Sequence, residues 1–106
     1  MNSKQRIISA LNLQPVDRTP VWFMRQAGRH LPEFRKIRSK NPNFIKLCLN
    51  SNLSSKITLQ PIKRYDLDFS IIFSDILMVP YALGQNVSFI KKKGPVLLNR
   101  SFLLIY

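Results

Sequence analysis

Two short apolar runs, each followed by polar residues that can bind a ligand, constrain the fold of this chain most. The first run is Val21–Met24 and the second is Phe69–Phe73. Both are rich in residues that favour β-structure, so each is predicted to form a buried strand. Helical patterns precede, separate and follow them. This alternation predicts an α/β protein whose parallel strands are joined by right-handed crossovers.

Prolines, glycine and capping residues give the expected limits of the helices. The sequence predicts a first helix capped by Ser3 and a second from Pro32 to about Lys40. A third helix is expected from about Asn43 to Leu49, and a fourth from about Asn52 to Tyr65 with a cap near Ser51. A fifth is expected from about Leu77 to Leu83, ending before Gly84. A small strand is expected over 87–89. The apolar face of the first helix is expected to hold Ile7, Ile8 and Leu11, and that of the fourth Leu53, Ile57 and Ile62.

A loop with two arginines, Arg25-Gln26-Ala27-Gly28-Arg29, directly follows the first apolar run. The guanidinium fork matches a carboxylate in two-point contact. Glycine between the arginines lets the backbone turn sharply and approach a ligand. The loop therefore indicates a clamp for a small anion that carries carboxylates. A solvated arginine pair at a helix start is the alternative that the spacing leaves open.

Asp75 follows the second apolar run as Arg25 follows the first. Ligands of parallel α/β folds bind at the carboxyl ends of the strands. Because such strands share one direction, Arg25 and Asp75 are expected on the same side of the sheet. The alternative for Asp75 is a helix cap.

The composition indicates a negatively charged partner but does not show which kind of partner it is. The chain has 106 residues, enough for one domain, and its net charge of +12 favours an anionic partner such as nucleic acid, a membrane surface or an acidic substrate. With Cys48 and His30 as the single cysteine and histidine, neither a disulfide nor a metal site is expected. The apolar region 69–83 is broken by Asp75 and Pro80, so a cytoplasmic location without a membrane span is expected.

Several motifs in a fixed order carry a family resemblance over about residues 3–96. They are Arg25–Arg29 with Leu31–Phe34, Leu59–Asp66, Ile71–Leu77, Val79–Gly84 and Lys93–Pro95. In these segments the chain resembles the uroporphyrinogen decarboxylases.

The resemblance implies an α/β fold that is the N-terminal, incomplete portion of a (β/α)8 TIM barrel. The family removes the four acetate carboxyl groups of uroporphyrinogen, giving coproporphyrinogen, and acts as a homodimer without cofactor or metal. By resemblance, Arg25, Gln26, Ala27, Gly28 and Arg29 would bind the substrate carboxylates. Asp75 would be catalytic, accepting pyrrole N–H groups and stabilising the cationic ring that draws electrons from the breaking bond.

The chain departs from the family pattern at one residue and in its length. His30 stands where the family usually has tyrosine. A (β/α)8 barrel takes about 250 residues, and this chain would supply two of eight strands. We assign 1–96 to the barrel segment and 97–106 to a tail that no longer follows the family, as after a frameshift. A truncated chain of this kind is expected to aggregate or unfold partly and to be inactive alone.

Two other functions remain as alternatives. A small basic nucleic-acid-binding protein would account for the charge, although no helix-turn-helix, RNP-type motif or zinc knuckle is present, and Lys91–Lys93 is expected to form a solvated turn. A cobalamin-linked methyltransferase would share the barrel. The arginine loop and the Phe73-Ser74-Asp75 segment favour the decarboxylase, with a tetrapyrrole as its partner and neither nucleic acid nor membrane.

Overall fold

The regular structure consists of helices and one hairpin. The computed structural model describes residues 1–24, 29–90 and 94–97, with the backbone alone for 89–90 and 94–97. In these residues the elements are α1 (Ser3–Leu11), α2 (Pro32–Lys40), α3 (Phe44–Leu49), α4 (Ser51–Arg64), α5 (Met78–Ala82), β1 (Val87–Ile90) and β2 (Gly94–Leu97).

Asparagine rather than serine caps the first helix. The Asn2 side chain accepts from the Gln5 backbone N–H at 2.9 Å, and the Gln5 side chain accepts from the Asn2 backbone N–H at 3.0 Å. This reciprocal pair is a capping box. The predicted Ser3 cap is therefore wrong by one residue, because Ser3 is already the first helical residue.

The predicted helices in the middle of the chain are confirmed with small shifts. Pro32 opens α2, where its missing N–H costs nothing. Asn43 and Asn50 cap α3 and α4, each accepting a backbone N–H three residues on at 3.0 Å. The cap of α4 is thus Asn50 instead of Ser51. Pro61 lies inside α4 without ending it, and Arg64 remains helical.

A small apolar core joins α2, α3 and α4 to the segment before α5. Its buried members are Leu31, Phe34, Leu47, Ile57 and Phe73. The Phe73 ring meets the rings of Phe34 and Phe44 edge-on, with centroids 5.7 and 5.8 Å apart. Of the face predicted for α4, Ile57 is fully buried, whereas Leu53 and Ile62 are half-buried.

The two predicted strands are wrong for this structure. Neither Val21–Met24 nor Phe69–Phe73 forms a strand. The segments do lie side by side at one point, where the Asp68 N–H donates to the Val21 carbonyl at 2.9 Å and Trp22 stacks on Phe69. Among the described residues no further backbone hydrogen bond joins the two segments, so they do not form a ladder.

The backbone of Phe73 is hydrogen-bonded to side chains of α4 instead of to a neighbouring strand. Its N–H donates to the Thr58 hydroxyl and its carbonyl accepts from the Ser54 hydroxyl, both at 2.8 Å. Ser54 and Thr58 lie one turn apart on α4, so the helix side chains replace strand neighbours. The second apolar run is therefore bound to α4 at its end without belonging to a sheet.

The apolar face predicted for α1 is also wrong. Ile8 and Leu11 are exposed, Ile7 is half-buried, and the buried residue of α1 is Arg6. Arg6 is buried because it reaches two carboxylates, those of Asp17 and Asp68. Ion pairing rather than apolar packing thus holds α1 against the chain.

The predicted end of the fifth helix before Gly84 and the predicted small strand after it are confirmed. After α5 the backbone of Gly84 has φ +89°, which a residue without a side chain adopts at little cost. The expected small strand is confirmed as β1, which pairs antiparallel with β2 in the register Val87 with Leu97 and Ile90 with Gly94. The predicted lysine turn, Lys91–Lys93, lies outside the described residues.

Candidate functional site

Three arginines surround an open pocket at the start of α2. Arg35 and Arg38 are three residues apart on this helix and therefore share a side. Arg29 lies in the turn before it. Together with Phe34, Ser39 and Phe44 these residues line a pocket of about 430 Å³. A pocket of this size can take part of a ligand of drug-like dimensions.

Backbone carbonyls fix the position of two of these guanidinium groups. Arg35 Nη1 donates to the carbonyls of Arg29 and His30, at 3.0 and 3.1 Å, which joins the loop to α2. Arg38 Nη1 donates to the carbonyls of Asn41 and Pro42, at 2.8 and 2.6 Å. Both forks are therefore held before any ligand arrives.

Aromatic rings form the apolar part of the pocket. Phe34 is buried in the core, and the Arg38 guanidinium lies 5.4 Å from the centre of the Phe44 ring, within the range of cation–π attraction. The pocket thus combines cations with ring surface. Such a combination suits an anion whose carboxylates are attached to an aromatic body.

Glu33, the acidic residue nearest in sequence to Arg35, pairs with another residue and does not line the pocket. Glu33 accepts from Arg64 of α4 in a two-point contact, with oxygen–nitrogen distances of 2.9 and 2.8 Å. The hydrogen bond from Arg64 lowers the pKa of Glu33, so this carboxylate stays ionised and paired. Among the described residues, none of those that line the pocket is acidic. The local charge at the pocket is therefore positive.

Arg29 is the one residue of the predicted arginine loop that the structure describes. Arg25, Gln26, Ala27 and Gly28 lie outside the described residues. Arg29 is exposed and lines the pocket. The role of the loop as a carboxylate clamp stays a prediction. Arg35 and Arg38 were not identified from the sequence, although their spacing on the expected helix could have placed them beside Arg29.

Asp75 has the hydrogen bond of a turn residue. Its Oδ1 accepts from the Leu77 backbone N–H at 2.9 Å, and its carbonyl accepts from the Met78 N–H at 3.1 Å. This is an Asx turn, and it does not make Asp75 a helix cap, because the cap residue of α5 is Leu77 and α5 has no side-chain cap hydrogen bond. The carboxylate is half-buried, and its Oδ2 accepts from no described residue. Asp75 is not among the described residues that line the pocket beside Arg29, and its relation to residues 25–28 lies outside the described residues.

Cys48 lies within electrostatic reach of Asp75. Burial and, to a smaller extent, the negative charge of Asp75 together raise the pKa of the Cys48 thiol to about 11. The thiol is therefore protonated at neutral pH and is a poor nucleophile. Among the described residues no group of three histidine, cysteine or carboxylate side chains could hold a metal ion.

A buried carboxylate sets the path of the chain into the arginine loop. The Asp68 side chain has no exposed area, and it accepts from Arg6 Nη1, Arg18 Nη1 and the Val21 N–H. The distances from Arg18 and Val21 are 2.7 and 2.8 Å. Asp68 therefore binds the segment that precedes the loop to the segment that follows α4. Sequence reasoning missed it, since its partners lie 47 to 62 positions away.

The pKa of Asp68 reflects two opposing effects. Burial favours the neutral acid, but hydrogen bonds from the Val21 N–H and from the side chains of Arg6, Ser3 and Arg18 outweigh it and lower the pKa to about 2. The carboxylate is therefore ionised at neutral pH. Asp17 extends the cluster through two bonds with Arg6, at 2.7 and 2.8 Å.

Comparison with known proteins identifies the family. The family model described as uroporphyrinogen decarboxylase (URO-D) matches residues 2–103. A uroporphyrinogen decarboxylase of Magnetococcus marinus is 55% identical over 97 residues, which are 92% of this chain and 27% of the relative. Relatives of the same name from Nitrosococcus oceani and Coxiella burnetii are each 54% identical, over 85% and 89% of this chain and 25% and 26% of their own length.

This chain belongs to the uroporphyrinogen decarboxylase family. The family fold is a TIM barrel. The chain spans about a quarter of the length of the curated relatives it matches. Within the residues that the structure describes, no helix is long and apolar enough to cross a membrane. The division at 96/97 stays a prediction, because most of the tail lies outside those residues.

Proposed function

We propose that this chain supplies the N-terminal, carboxylate-binding part of a uroporphyrinogen decarboxylase. The reaction removes the four acetate carboxyl groups of uroporphyrinogen to give coproporphyrinogen. One observation carries the proposal: in a chain of this family, Arg29, Arg35 and Arg38 surround a pocket that also presents aromatic rings. The substrate has the matching chemistry, since its pyrrole rings bear acetate and propionate groups.

In this proposal, the arginines bind and orient the substrate. Arg35 and Arg38 are already held by backbone carbonyls, so little conformational freedom is lost when a carboxylate binds. Arg29 has an exposed side chain and adds a third cation at the edge of the pocket. The residues of the loop, Arg25–Gly28, would complete the clamp.

Asp75 is proposed to stabilise the charge that develops during reaction. Loss of carbon dioxide leaves an electron pair, which a protonated pyrrole ring can accept. A carboxylate near the ring nitrogens stabilises that cation. The geometry supports this role only in part: Leu77 orients the group through Oδ1, and Oδ2 remains able to accept a pyrrole N–H.

The fold that we propose for the whole is the family barrel, with 1–96 as its N-terminal segment, cytoplasmic and homodimeric as the resemblance implies. The contacts of Val21 with Asp68 and of Trp22 with Phe69 support this fold, because two adjacent strands of the barrel would lie side by side at these residues. The relatives give the nucleic-acid alternative no support.

The test uses a chimera in which this chain replaces the matching region of the Magnetococcus marinus relative. Arg29→Gln removes a pocket cation, and Lys36→Gln removes an exposed cation of α2 that does not line the pocket. A lost charged hydrogen bond costs about 1.5–3 kcal/mol, so we expect KM for uroporphyrinogen to rise roughly 10-fold or more in Arg29→Gln. Lys36→Gln should change it less than twofold. Equal effects of the two substitutions would contradict the pocket assignment.

A further inference from the structure

A groove lined by lysines lies between α2 and α4. It consists of two adjoining hollows of about 310 and 450 Å³, which share the residues Glu33, Lys56 and Gln60. Further lysines of both helices line one hollow or the other. We call this surface the lysine groove and define it by Lys36, Lys40, Lys56, Gln60 and Lys63.

The lysine groove and the pocket around Arg29, Arg35 and Arg38, the arginine pocket, lie on opposite sides of α2. The arginine pocket takes from this helix the residues at 34, 35, 38 and 39, and the groove takes those at 33, 36, 37 and 40. A helix with 3.6 residues per turn places these two sets on opposite faces. No described residue lines both. The groove is therefore separate from the site of the proposed function.

An ion pair and the core hold the two helices of the groove in place. Glu33 in the first turn of α2 accepts from Arg64 in the last turn of α4, at 2.9 and 2.8 Å. Between the helices, Ile37 and Leu53 line the smaller hollow and pack against the apolar core. Contacts within the described chain thus determine the shape of the groove.

The positive charge of the groove is not balanced by the described residues. Its four lysines are exposed, and none of them is in an ion pair with a described carboxylate. Glu33, the acid among the described lining residues, is already paired with Arg64. Like charges one turn apart on a helix, such as those of Lys36 and Lys40, repel each other. An anion bound in the groove would offset this repulsion.

Gln60 adds a buried amide to the groove. Its side chain lines both hollows, the residue is 8% exposed, and Oε1 has no hydrogen-bond partner among the described residues. Buried polar groups of native proteins are nearly always paired. Rotation of the amide exchanges its oxygen and its NH2 group, so Gln60 can offer two N–H donors to an anion. The unpaired amide therefore points to a ligand as the second half of the site.

We propose that the lysine groove binds an oligophosphate, either inorganic or as the phosphate chain of a nucleotide. Lysine binds phosphate as a point charge, and ammonium groups spread over two hollows match charges spread along a flexible phosphate chain. No aromatic ring is among the described lining residues, in contrast to the arginine pocket. A pyrrole body would thus find no ring surface here.

The experiment titrates this chain, and separately the chimera, with inorganic tripolyphosphate and with ATP in a calorimeter. Magnesium is left out, and the ionic strength is about 0.15 M, where charges more than about 8 Å away are screened. The combined variant Lys56→Gln and Lys63→Gln removes two charges from the groove. Its control combines Lys4→Gln and Lys46→Gln, which removes two exposed charges that line neither the groove nor the arginine pocket.

We expect tripolyphosphate to bind at least 10-fold more weakly to the groove variant and less than twofold more weakly to the control. Equal affinities for tripolyphosphate and ATP would assign the groove to the phosphate chain alone, and tighter binding of ATP would assign it to a nucleotide. Absence of binding to the unaltered chain and chimera, or equal losses in the two combined variants, would overturn the inference. The chimera keeps the test decisive if the isolated chain associates with itself.

Gln60→Met separates a role in binding from a role in the fold. Methionine keeps the length of the side chain but removes the amide, so we expect the affinity for tripolyphosphate to fall at least threefold. The unfolding temperature of the chimera should not fall, because no hydrogen bond of Oε1 is lost. An unchanged affinity would overturn the role of Gln60 in the groove.

The groove is tested independently of the decarboxylation. Binding is measured directly, so a chimera that binds tripolyphosphate without converting uroporphyrinogen would contradict the proposed function and leave the groove assigned. In uroporphyrinogen assays without oligophosphate the groove is empty, so Lys36→Gln still serves there as the control for Arg29→Gln.

Discussion

Asp68 shows how one side chain determines the course of three segments. Its carboxylate is fully buried and is shared by Arg6 of α1 and Arg18 of the following loop. Removal of one partner from a buried ion pair is strongly destabilising because the other charges remain in a poorly solvated site. Asp68 therefore matters for the path that leads into the arginine loop, although it does not line the pocket.

Asp68→Asn tests this role, with Asp66→Asn as the control. Asp66 is two residues away and pairs with the same Arg18 at 3.5 Å, but its side chain is 94% exposed. We expect Asp68→Asn to lower the unfolding temperature of the chimera by roughly 5 °C, since Arg6 and Arg18 lose their buried partner. Asp66→Asn should lower it by less than about 2 °C. Similar shifts in a thermal melt would show that burial of Asp68 is unimportant.

The same carboxylate gives a pH dependence of known sign. Its pKa is about 2 in the folded chain and about 3.9 in an unfolded one. A lowered pKa stabilises the fold above the unfolded value, and that contribution is lost as the pH falls from about 4 toward 2. The stability difference between the unaltered chimera and Asp68→Asn should therefore shrink over this interval in urea titrations. A constant difference from pH 7 to pH 3 would contradict the assignment.

At the scale of elements, α4 holds the second apolar run through two hydroxyls. The Thr58 hydroxyl accepts the Phe73 N–H and donates to the Ser54 carbonyl, while the Ser54 hydroxyl donates to the Phe73 carbonyl. All three residues are buried. Because each hydroxyl replaces a bond that a strand would make, the bonds keep the end of the run near Asp75 in a fixed position.

Thr58→Val removes the acceptor with almost no change in shape. The buried Phe73 N–H then lacks a partner, which costs about 1–3 kcal/mol. A drop of roughly 1–4 °C in the unfolding temperature of the full-length chimera should follow. Ser55→Ala on the exposed side of α4 is the control and should stay within about 0.5 kcal/mol of the parent. An unaffected Thr58→Val variant in the same thermal melts would show that the bond to Phe73 contributes nothing.

The helices could be predicted from sequence because their signals are local. Asn43, Asn50, Pro32 and Gly84 act on the adjacent turn, and the observed limits differ from the expected ones by no more than one residue. The error at Ser3 arose because Asn2, one position earlier, offers a better cap with Gln5 as its partner.

The strands could not be predicted in the same way because pairing depends on distant residues. Val21–Met24 and Phe69–Phe73 have the composition of strands, yet a strand exists only where a neighbour supplies hydrogen bonds. For the site, the sequence indicated Arg29 and Asp75. It did not reveal the partners of Arg35 and Arg38, which are backbone carbonyls brought close by the fold.

At the scale of the whole molecule, the apolar core of the described residues is small compared with the number of large apolar side chains that stay exposed. Its buried members are Leu31, Phe34, Leu47, Ile57 and Phe73, while other large apolar side chains stay exposed, among them Ile8, Leu11, Ile72 and Ile76. Small cores give marginal stability. The described residues thus pack around α2, α3 and α4 and leave large apolar side chains exposed.

The isolated chain should therefore associate with itself. We expect light scattering after size exclusion to show a mass that rises with concentration, and an apolar dye such as ANS to bind the chain without denaturant. Ile72→Asp should reduce both signals, because Ile72 is an apolar side chain that is 73% exposed, and Leu59→Asp, at a position that is 47% exposed, should reduce them less. A chain that stays monomeric with a cooperative thermal transition would contradict this expectation.

The most direct test of the account follows the conversion of uroporphyrinogen by the chimera of this chain and the Magnetococcus marinus remainder. The products are separated by chromatography according to the number of carboxyl groups that remain. We predict coproporphyrinogen in an amount well above a boiled control, and much less product with Arg29→Gln at limiting substrate. A folded chimera that yields no product, or whose activity is the same with Arg29→Gln, would contradict the claim that this chain contributes the carboxylate-binding part of the enzyme.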